Sequence, residues 1–272
     1  TNIRATEVQV GSMIISWWSA GVTSAVATKL AIDKHGKENV LPIYFHIDTA
    51  HHDNERFIRE CEEWYGRDIM VTKSHKHSNQ FEVITKDKYV NGPGGARCTL
   101  VLKKWVRQRL EKEMDYDAQV FGFEYSKKEV NRAIRFKEQY PDAKPIFPLI
   151  EKKLTKPECL FYLEQAGIER PTMYKLGYGN NNCIGCVKGG KGYWNKIRKD
   201  FPEQFDRMAT AEREVGNSCI RGVFLDELNE QEGIQQKFVM PDCGNFCDIE
   251  FTEIMHKDIE LIMREPEQLS LF

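Results

Sequence analysis

Five of the eight cysteines have spacing that suits metal or sulfur chemistry. The segments "CIGC" and "CGNFC" each hold a close pair of cysteines beside a glycine, and such loops can fold thiolates around one ion or cluster. Zinc and iron–sulfur clusters both accept four thiolates, so spacing does not choose between them. A redox dithiol or plain structural cysteines are the alternatives. We expect four of the following five to bind a metal: Cys98, Cys183, Cys186, Cys243 and Cys247.

The turn "SAGVTS", residues 19–24, is a second candidate site. It follows an apolar run typical of a buried strand and precedes apolar residues with helical spacing. Small and hydroxyl-bearing residues leave the backbone N–H groups of a helix N-terminus accessible, and the helix dipole favours an anion there. The turn lacks the lysine of a Walker loop. It therefore predicts a phosphate site of another kind.

The segments that must position these residues alternate between strands and helices. Apolar runs predict strands at 13–18, 40–47, 68–72 and 118–125, and a predicted helix follows at 130–139. This alternation implies right-handed crossovers and a doubly wound, mostly parallel sheet. Ligands bind beyond the carboxyl ends of such strands, so we expect the turns at 19–24, 48–54 and 123–132 to form one site.

Composition and pattern also predict the domain organisation. A chain of 272 residues, 41% hydrophobic and 29% charged, can bury one large α/β core and a smaller appendage. We expect a nucleotide-binding α/β domain over 13–145, a smaller helical, cysteine-rich subdomain over 146–265, and a tail over 266–272. Residues 1–12 end in Gly11 and Ser12 directly before Met13, which indicates a tag or a disordered leader.

Charge and hydropathy exclude some classes of protein. The net charge of −2 argues against a uniformly basic nucleic-acid-binding surface. No apolar segment approaches the roughly 20 residues that span a bilayer, and no secretory signal opens the chain. We therefore expect a cytoplasmic protein with no membrane partner, whose cysteines are thiols or metal ligands.

The turn at 19–24 resembles the PP-loop of ATP pyrophosphatases and sulfonucleotide reductases, whose usual form is Ser-Gly-Gly-x-Asp-Ser. Two residues depart from it: Ala20 replaces a glycine, and Thr23 replaces the aspartate that in many relatives helps hold magnesium. Four later segments, in order, resemble the phosphoadenosine-phosphosulfate reductase family. They are "HIDTAHHDNERF", "ARCTLVLKK", "VFGFEYSKKEVNRAIRF" and a Pro-Leu, helix, Tyr, Gly, Cys-x-x-Cys series that ends in "CIGC".

The resemblance implies an adenine nucleotide α-hydrolase-like fold that binds ATP or a related adenine nucleotide, with magnesium as a further cofactor. It implies a [4Fe–4S] cluster rather than zinc, because a cysteine matching Cys98 joins a Cys-x-x-Cys pair in DNA phosphorothioation-type sulfur transferases. Asp48 also fits ordinary turn chemistry, and Arg135 also fits a solvated helix face. The residues implied for nucleotide binding are Ser19, Gly21, Val22, Thr23, Ser24, Asp48, Gly122, Arg132 and Arg135. Those implied for catalysis are Cys98, Lys103, Thr23 and Ser24.

The expected function is an ATP-pyrophosphatase-like sulfur transferase, which adenylates an acceptor on nucleic acid and then thiolates it. Its sulfur donor would be a protein such as a cysteine desulfurase, and a homodimer is expected. A sulfonucleotide reductase is the alternative, although the family's C-terminal Glu-Cys-Gly-Leu-His segment is replaced by "DCGNFC". A non-catalytic nucleotide-binding module, tethered to DNA, is the second alternative.

The terminal pentapeptide "QLSLF" resembles the peptide by which bacterial proteins dock on the replicative sliding clamp. In that interpretation two leucines and a phenylalanine fill a hydrophobic pocket and the glutamine bonds at its rim. A tail that folds back on the protein is the alternative. The residues expected to bind the clamp are Gln268, Leu269, Leu271 and Phe272.

Overall fold

The computed structural model describes residues 13–90 and 96–234. A five-stranded sheet in the order β3-β2-β1-β4-β5 forms its centre, and every strand pair in it is parallel. This confirms the doubly wound α/β fold. The strands are β1 (Ile14–Trp18), β2 (Val40–Phe45), β3 (Met70–Thr72), β4 (Ala118–Val120) and β5 (Pro145–Ile146).

Helices cover both faces of the sheet. Along β1, Ile14 and Trp18 pack on the face covered by the helices at 22–35, 54–65 and 156–165. Ile15 and Trp17 pack on the face covered by the helices at 105–113 and 127–139. Successive side chains of a strand point to opposite faces, so a strand covered on both sides is apolar throughout. The helices are α1 (Val22–His35), α2 (Asn54–Tyr65), α3 (Gln80–Asp87), α4 (Arg97–Thr99), a π-helical segment (Leu100–Lys104), α5 (Trp105–Glu113), α6 (Lys127–Gln139), α7 (Pro148–Glu151), α8 (Lys156–Gln165), α9 (Thr172–Lys175), α10 (Lys191–Asp200) and α11 (Pro202–Val215).

A third apolar cluster lies outside these two layers. It joins α3, α10, α11 and a 3-10 turn at Leu225–Glu227 around Trp194, Phe205 and Met208, all of them buried. The "CIGC" segment packs into this cluster through Ile184 and Cys186. The cysteine pair is therefore held by elements that come from both halves of the chain.

The structure differs from the sequence expectations at several element boundaries. Strand β4 ends at Val120 instead of continuing to 125, because its pairing with β1 and β5 ends there, at Ser16 and Ile146. The short strand Pro145–Ile146 pairs with β4, and α8 packs against α1 in the main core, so residues 145–165 belong to the same sheet and helix layers. Helices α3 to α5 were not anticipated. Within the described residues, every helix is too short or too polar to cross a membrane.

Candidate nucleotide and cysteine site

The loop at 19–24 lies at the carboxyl end of β1, where the strand order changes direction. Chain connections lead from β1 towards β2 and β3 on one side, whereas β4 and β5 lie on the other. Such a switch point opens a crevice beyond the strand ends, which is where open α/β sheets bind ligands. Gly21 is the N-cap residue of α1 and provides no side chain to satisfy the first N–H groups of the helix. Such an uncapped N-terminus is typical of anion sites, although the N–H of Val22 is itself bonded to the Tyr174 hydroxyl.

The Ser24 side chain holds the loop in shape. Its hydroxyl oxygen accepts hydrogen bonds from the backbone N–H and the hydroxyl of Ser19, both at 3.0 Å, and donates to the carbonyl oxygen of Gly21 at 2.9 Å. Ser24 is buried, whereas Ser19 is exposed and Thr23 is half-buried at the first turn of α1. Ser24 thus acts on the shape of the loop.

Ala20 adopts a backbone conformation that glycine would adopt without strain. Its φ is +58°, in the left-handed region, and its side chain is fully buried. Its carbonyl oxygen accepts a hydrogen bond from Asn181 Nδ2 at 2.8 Å. The loop therefore keeps the geometry of a glycine position although the residue is alanine.

Gly122, in the turn after β4, lies directly against the start of α1. A Cβ atom at this position would lie 2.7 Å from both the N and Cα atoms of Ser24. Only glycine permits two backbones to approach so closely. This contact brings the turn after β4 to the loop at 19–24.

Residues from the second half of the chain complete the crevice. The hydroxyl oxygen of Tyr174 accepts the N–H of Val22 at 3.3 Å and also the N–H of Asn181, and burial raises the pKa of this phenol to about 12. The side chain of Asn181 also donates to Asn54 Oδ1 at 2.7 Å, and Asn54 donates to the Tyr44 hydroxyl at 3.1 Å. A neutral hydrogen-bond network thus connects the loop to the segment that precedes Cys183.

The cysteine pair lies against the turn after β2. The N–H of Ile184 donates to the Thr49 carbonyl oxygen at 2.9 Å, and Gln80 Nε2 donates to the Ile184 carbonyl oxygen at 2.8 Å. Cys183 and Cys98 pack on one small apolar cluster formed by Ile47, Val83, Val101 and Leu102. The structure therefore brings two of the predicted sulfur ligands to the same place.

Lys103 and Cys183 both lie near the Tyr44 phenol. Burial raises the pKa of this phenol, and the hydrogen bond from Asn54 opposes the increase. The charge of Lys103 lowers the same pKa and that of Cys183 raises it, so both groups are close enough to act on Tyr44. Lys103 belongs to the π-helical segment that begins two residues after Cys98. π-Helical segments are frequent at functional sites.

Comparison with known proteins identifies the family. The model of the phosphoadenosine phosphosulfate reductase domain matches residues 13–190. The chain belongs to the phosphoadenosine phosphosulfate reductase family. No curated protein matches it.

The match includes the loop at 19–24, the turns after β2 and β4, and the cysteine pair, whereas α10 and α11 follow it. This supports a PP-loop enzyme that uses a nucleotide, a class common to the whole family. The departures at Ala20 and Thr23 thus lie inside the matched region and are properties of this family member.

The described cysteines do not by themselves form a metal site. Among the residues that the structure describes, no group of three or more His, Cys, Asp or Glu has the arrangement of a metal site. Cys243 and Cys247 lie outside the described residues, so the full set of five is not represented. Cys61 and Cys159 are fully buried and burial raises the pKa of each to about 12, as expected for thiols that serve as apolar core residues.

The two aspartates of the turn after β2 differ in role. Asp48 is exposed, and its carboxylate lies 3.3 Å from His46 Nε2. Asp53 accepts two hydrogen bonds from Arg56, at 2.7 and 2.9 Å, and one from the Thr172 N–H at 2.8 Å. The Arg56 guanidinium holds the pKa of Asp53 well below its usual range. Asp53 therefore fastens α9 to α2, and Asp48 keeps its carboxylate at the surface.

The two arginines of α6 have different surroundings. The Arg132 guanidinium lies 4.6 Å from the centroid of the Phe123 ring and 3.3 Å from a Glu129 carboxylate oxygen. Phe123 follows Gly122, so Arg132 lies beside the turn that contacts the loop. Arg135 is buried, with 7% of its surface exposed, and does not share the setting of Arg132.

Glu124 is a candidate that the sequence interpretation missed. Its Oε2 atom is buried and has no hydrogen-bond partner among the described residues, and its charge acts on the Tyr174 phenol. A buried carboxylate oxygen without a donor is suited to a cation. Glu124 thus places a carboxylate near the loop whose own aspartate position is occupied by Thr23. Its place two residues after Gly122 was the available sequence signal.

Proposed function

We propose that this protein is an ATP-dependent sulfur transferase that adenylates an acceptor on nucleic acid and then thiolates it. One observation supports this best: Asn181 bonds directly to the Ala20 carbonyl of the loop, and Cys183 follows two residues later. A nucleotide at the loop and sulfur at the cysteines would therefore be neighbours.

In the proposed reaction, an acceptor oxygen attacks the α-phosphorus of ATP. The bond from this phosphorus to the bridging oxygen breaks, and pyrophosphate leaves with the electron pair. The N–H groups at the start of α1 would stabilise the negative charge on the phosphates, which is electrostatic preorganisation. A sulfur nucleophile at the oxidation level of sulfide then displaces AMP, so the exchange is redox-neutral.

For the cofactor, we propose a [4Fe–4S] cluster, with zinc as the alternative. Cys98, Cys183 and Cys186 would bind it together with Cys243 or Cys247, and it would supply a thiophilic site that holds sulfur. Anaerobic purification followed by iron, sulfide and zinc analysis tests this. About four irons and four sulfides per chain would support the cluster. Stoichiometric zinc without iron would make the cysteines a structural clasp instead.

The reaction is tested by pyrophosphate release from ATP in the presence of single-stranded DNA or transfer RNA. Ser24→Ala should slow release about 100-fold or more, because it removes the hydrogen bonds that shape the loop. Thr210→Ala is the matched control, since that hydroxyl also bonds to a backbone carbonyl, of Asp206, but lies on α11. Equal rates in the two variants would contradict the proposed role of the loop.

The family match favours a second function, the reduction of a sulfonucleotide by a cysteine nucleophile. Such an enzyme would release sulfite and an adenosine phosphate from its substrate without consuming ATP. Sulfite release from phosphoadenosine phosphosulfate, with no pyrophosphate release from ATP, would therefore replace our proposal with this one.

A third function, a nucleotide-binding module tethered to the sliding clamp, is favoured by Ala20, Thr23 and the terminal peptide. Binding of ATP without pyrophosphate release under any acceptor condition would identify it. The terminal peptide lies outside the described residues. Deletion of Leu271 and Phe272 should abolish clamp binding and leave ATP affinity unchanged, whereas unaltered clamp binding would end this part of the proposal.

A further inference from the structure

A cavity of about 400 Å³ lies beside the cysteine pair. It is formed between the turn after β2 and the first turns of α3 and α11. Its volume lies within the range of small-molecule sites. The lining residues with a clear chemical character are His51, His52, Phe81, Ile184, Phe201 and Arg207.

One wall of the cavity is aromatic. The rings of His51 and His52 lie 4.3 Å apart and 30° from parallel, and Phe201 meets His51 edge-on at 6.1 Å. His51 is buried, whereas His52 is exposed. Burial, and then the neighbouring His52, lower the pKa of His51, which favours its neutral form. Uncharged aromatic faces of this kind are the surfaces on which proteins stack nucleobases.

The lining of the cavity also carries a positive charge. The Arg207 guanidinium lies 4.3 Å from the centroid of the Phe81 ring. Within 13–90 and 96–234, no ion pair ties Arg207 to a carboxylate. An arginine that is held by a ring and keeps its donors available is suited to a phosphate group.

The cavity lies next to the proposed chemistry. Ile184, between the two cysteines of "CIGC", lines it, and its N–H is bonded to Thr49 in the same lining. A few residues further along, Asn54 connects to Asn181 and so to the loop at 19–24. A ligand in the cavity would therefore lie within one packed unit with both the cysteines and the nucleotide loop.

We propose that this cavity binds the acceptor of the reaction, a nucleotide whose base stacks on His51, His52 and Phe201 and whose phosphate meets Arg207. The inference rests on the proposed function, because it names the acceptor class of that reaction. Asp48 and Glu203, which also line the cavity, provide acceptors for the amino and hydroxyl groups of such a nucleotide. The acceptor is either a residue of a single strand or a free mononucleotide.

The test uses the full-length protein and a fluorescent single-stranded DNA of about ten nucleotides, followed by anisotropy. The same strand with one abasic position in its centre shows whether a base is needed. His52→Ala and Arg207→Gln should each weaken binding of the intact strand about tenfold, since stacking and phosphate contacts are of that size. Arg213→Gln is the control, because Arg213 lies on the same helix but is paired with Asp226 and Glu227. It should bind like the parent protein.

ATP affinity is measured for the same variants by calorimetry, so that the two proposals can fail separately. Unchanged ATP affinity in His52→Ala and Arg207→Gln supports an acceptor site. Loss of ATP affinity in both would assign the cavity to the base of ATP and overturn the inference. If the protein bound the strand as expected but never bound ATP, the proposed function would be refuted, and the cavity would still be a nucleotide-binding site.

Two further outcomes decide the inference. Displacement of the strand by thymidine monophosphate at comparable affinity would support a mononucleotide acceptor, and displacement only by another strand would support a nucleic acid. Equal binding by Arg207→Gln and Arg213→Gln, or equal binding of the intact and abasic strands, would overturn the proposal. His52 and Arg207 are exposed, so both variants should melt at the temperature of the parent protein.

Discussion

Replacing Gly122 by alanine tests the contact on which the candidate site depends. The added Cβ would lie 2.7 Å from the Ser24 N and Cα atoms and 3.0 Å from the Thr23 carbonyl carbon. All three are backbone atoms, so no flexible side chain can move aside. The turn after β4 and the start of α1 must separate by about 0.7 Å to reach ordinary contact at 3.4 Å.

Gly122→Ala should destabilise the protein, although replacing glycine by alanine at an allowed φ usually stabilises. The φ of Gly122 is not positive, so alanine is allowed there and restricts the unfolded chain, which alone would stabilise by about 0.4–1 kcal/mol. Overpacking against a backbone costs about 1–3 kcal/mol. We therefore expect a net loss in the free energy of unfolding, of about 1–2 kcal/mol.

The effect on ATP binding should be larger, because the shift displaces the N–H groups at the start of α1. A loss of affinity of about tenfold to 100-fold corresponds to about 1.4–2.8 kcal/mol. Calorimetric titration with ATP measures it, and urea unfolding measures stability.

Gly190→Ala is the control for this substitution. Its Cβ would meet nothing within 4 Å, and its φ is −84° at the N-cap of α10. Alanine is a poorer N-cap than glycine, but it restricts the unfolded chain, and these two effects roughly cancel. The free energy of unfolding should therefore change by about 0.5 kcal/mol or less. If Gly122→Ala were as stable as Gly190→Ala and bound ATP equally well, the close approach of the two turns would not position the site.

Three further predictions concern single side chains. Asp53→Asn should cost about 2 kcal/mol at pH 7. Arg56 lowers the pKa of the folded Asp53 carboxyl, so the stability difference between the parent protein and the variant should be constant from about pH 5 to 8 and shrink below about pH 4. Urea unfolding at several pH values measures this difference. A difference that stays constant at acid pH would refute the prediction. Asn181→Ala leaves the Ala20 carbonyl oxygen without its donor and should lower the free energy of unfolding by about 1–3 kcal/mol. It should also weaken ATP binding. An unchanged ATP affinity, measured by calorimetry, would show that this hydrogen bond does not connect the loop to the cysteine segment. Glu124→Gln should raise the Mn²⁺ concentration needed for ATP binding about tenfold and leave ATP binding without metal unchanged. Electron paramagnetic resonance of Mn²⁺ measures the bound metal. An unchanged Mn²⁺ titration would exclude Glu124 as a metal ligand.

The sequence by itself determined the local features of this protein. A buried strand followed by small residues and a helix is encoded over about 20 consecutive residues, because hydrophobic patterning and turn chemistry act over short distances. The order of the motifs along the chain also indicated the family, which the domain match confirms.

Only the tertiary structure decided which of these features meet. Gly122 contacts Ser24, Asn181 bonds to Ala20 across 161 residues of chain, and Cys98 packs beside Cys183. Periodicity predicts which face of an element is buried and not which partner covers it, since the partner depends on strand order and on the packing of distant helices. The orphaned oxygen of Glu124 and the cavity next to Ile184 arise from that packing. The sequence signal for Glu124 was limited to its place two residues after Gly122, and the cavity had none.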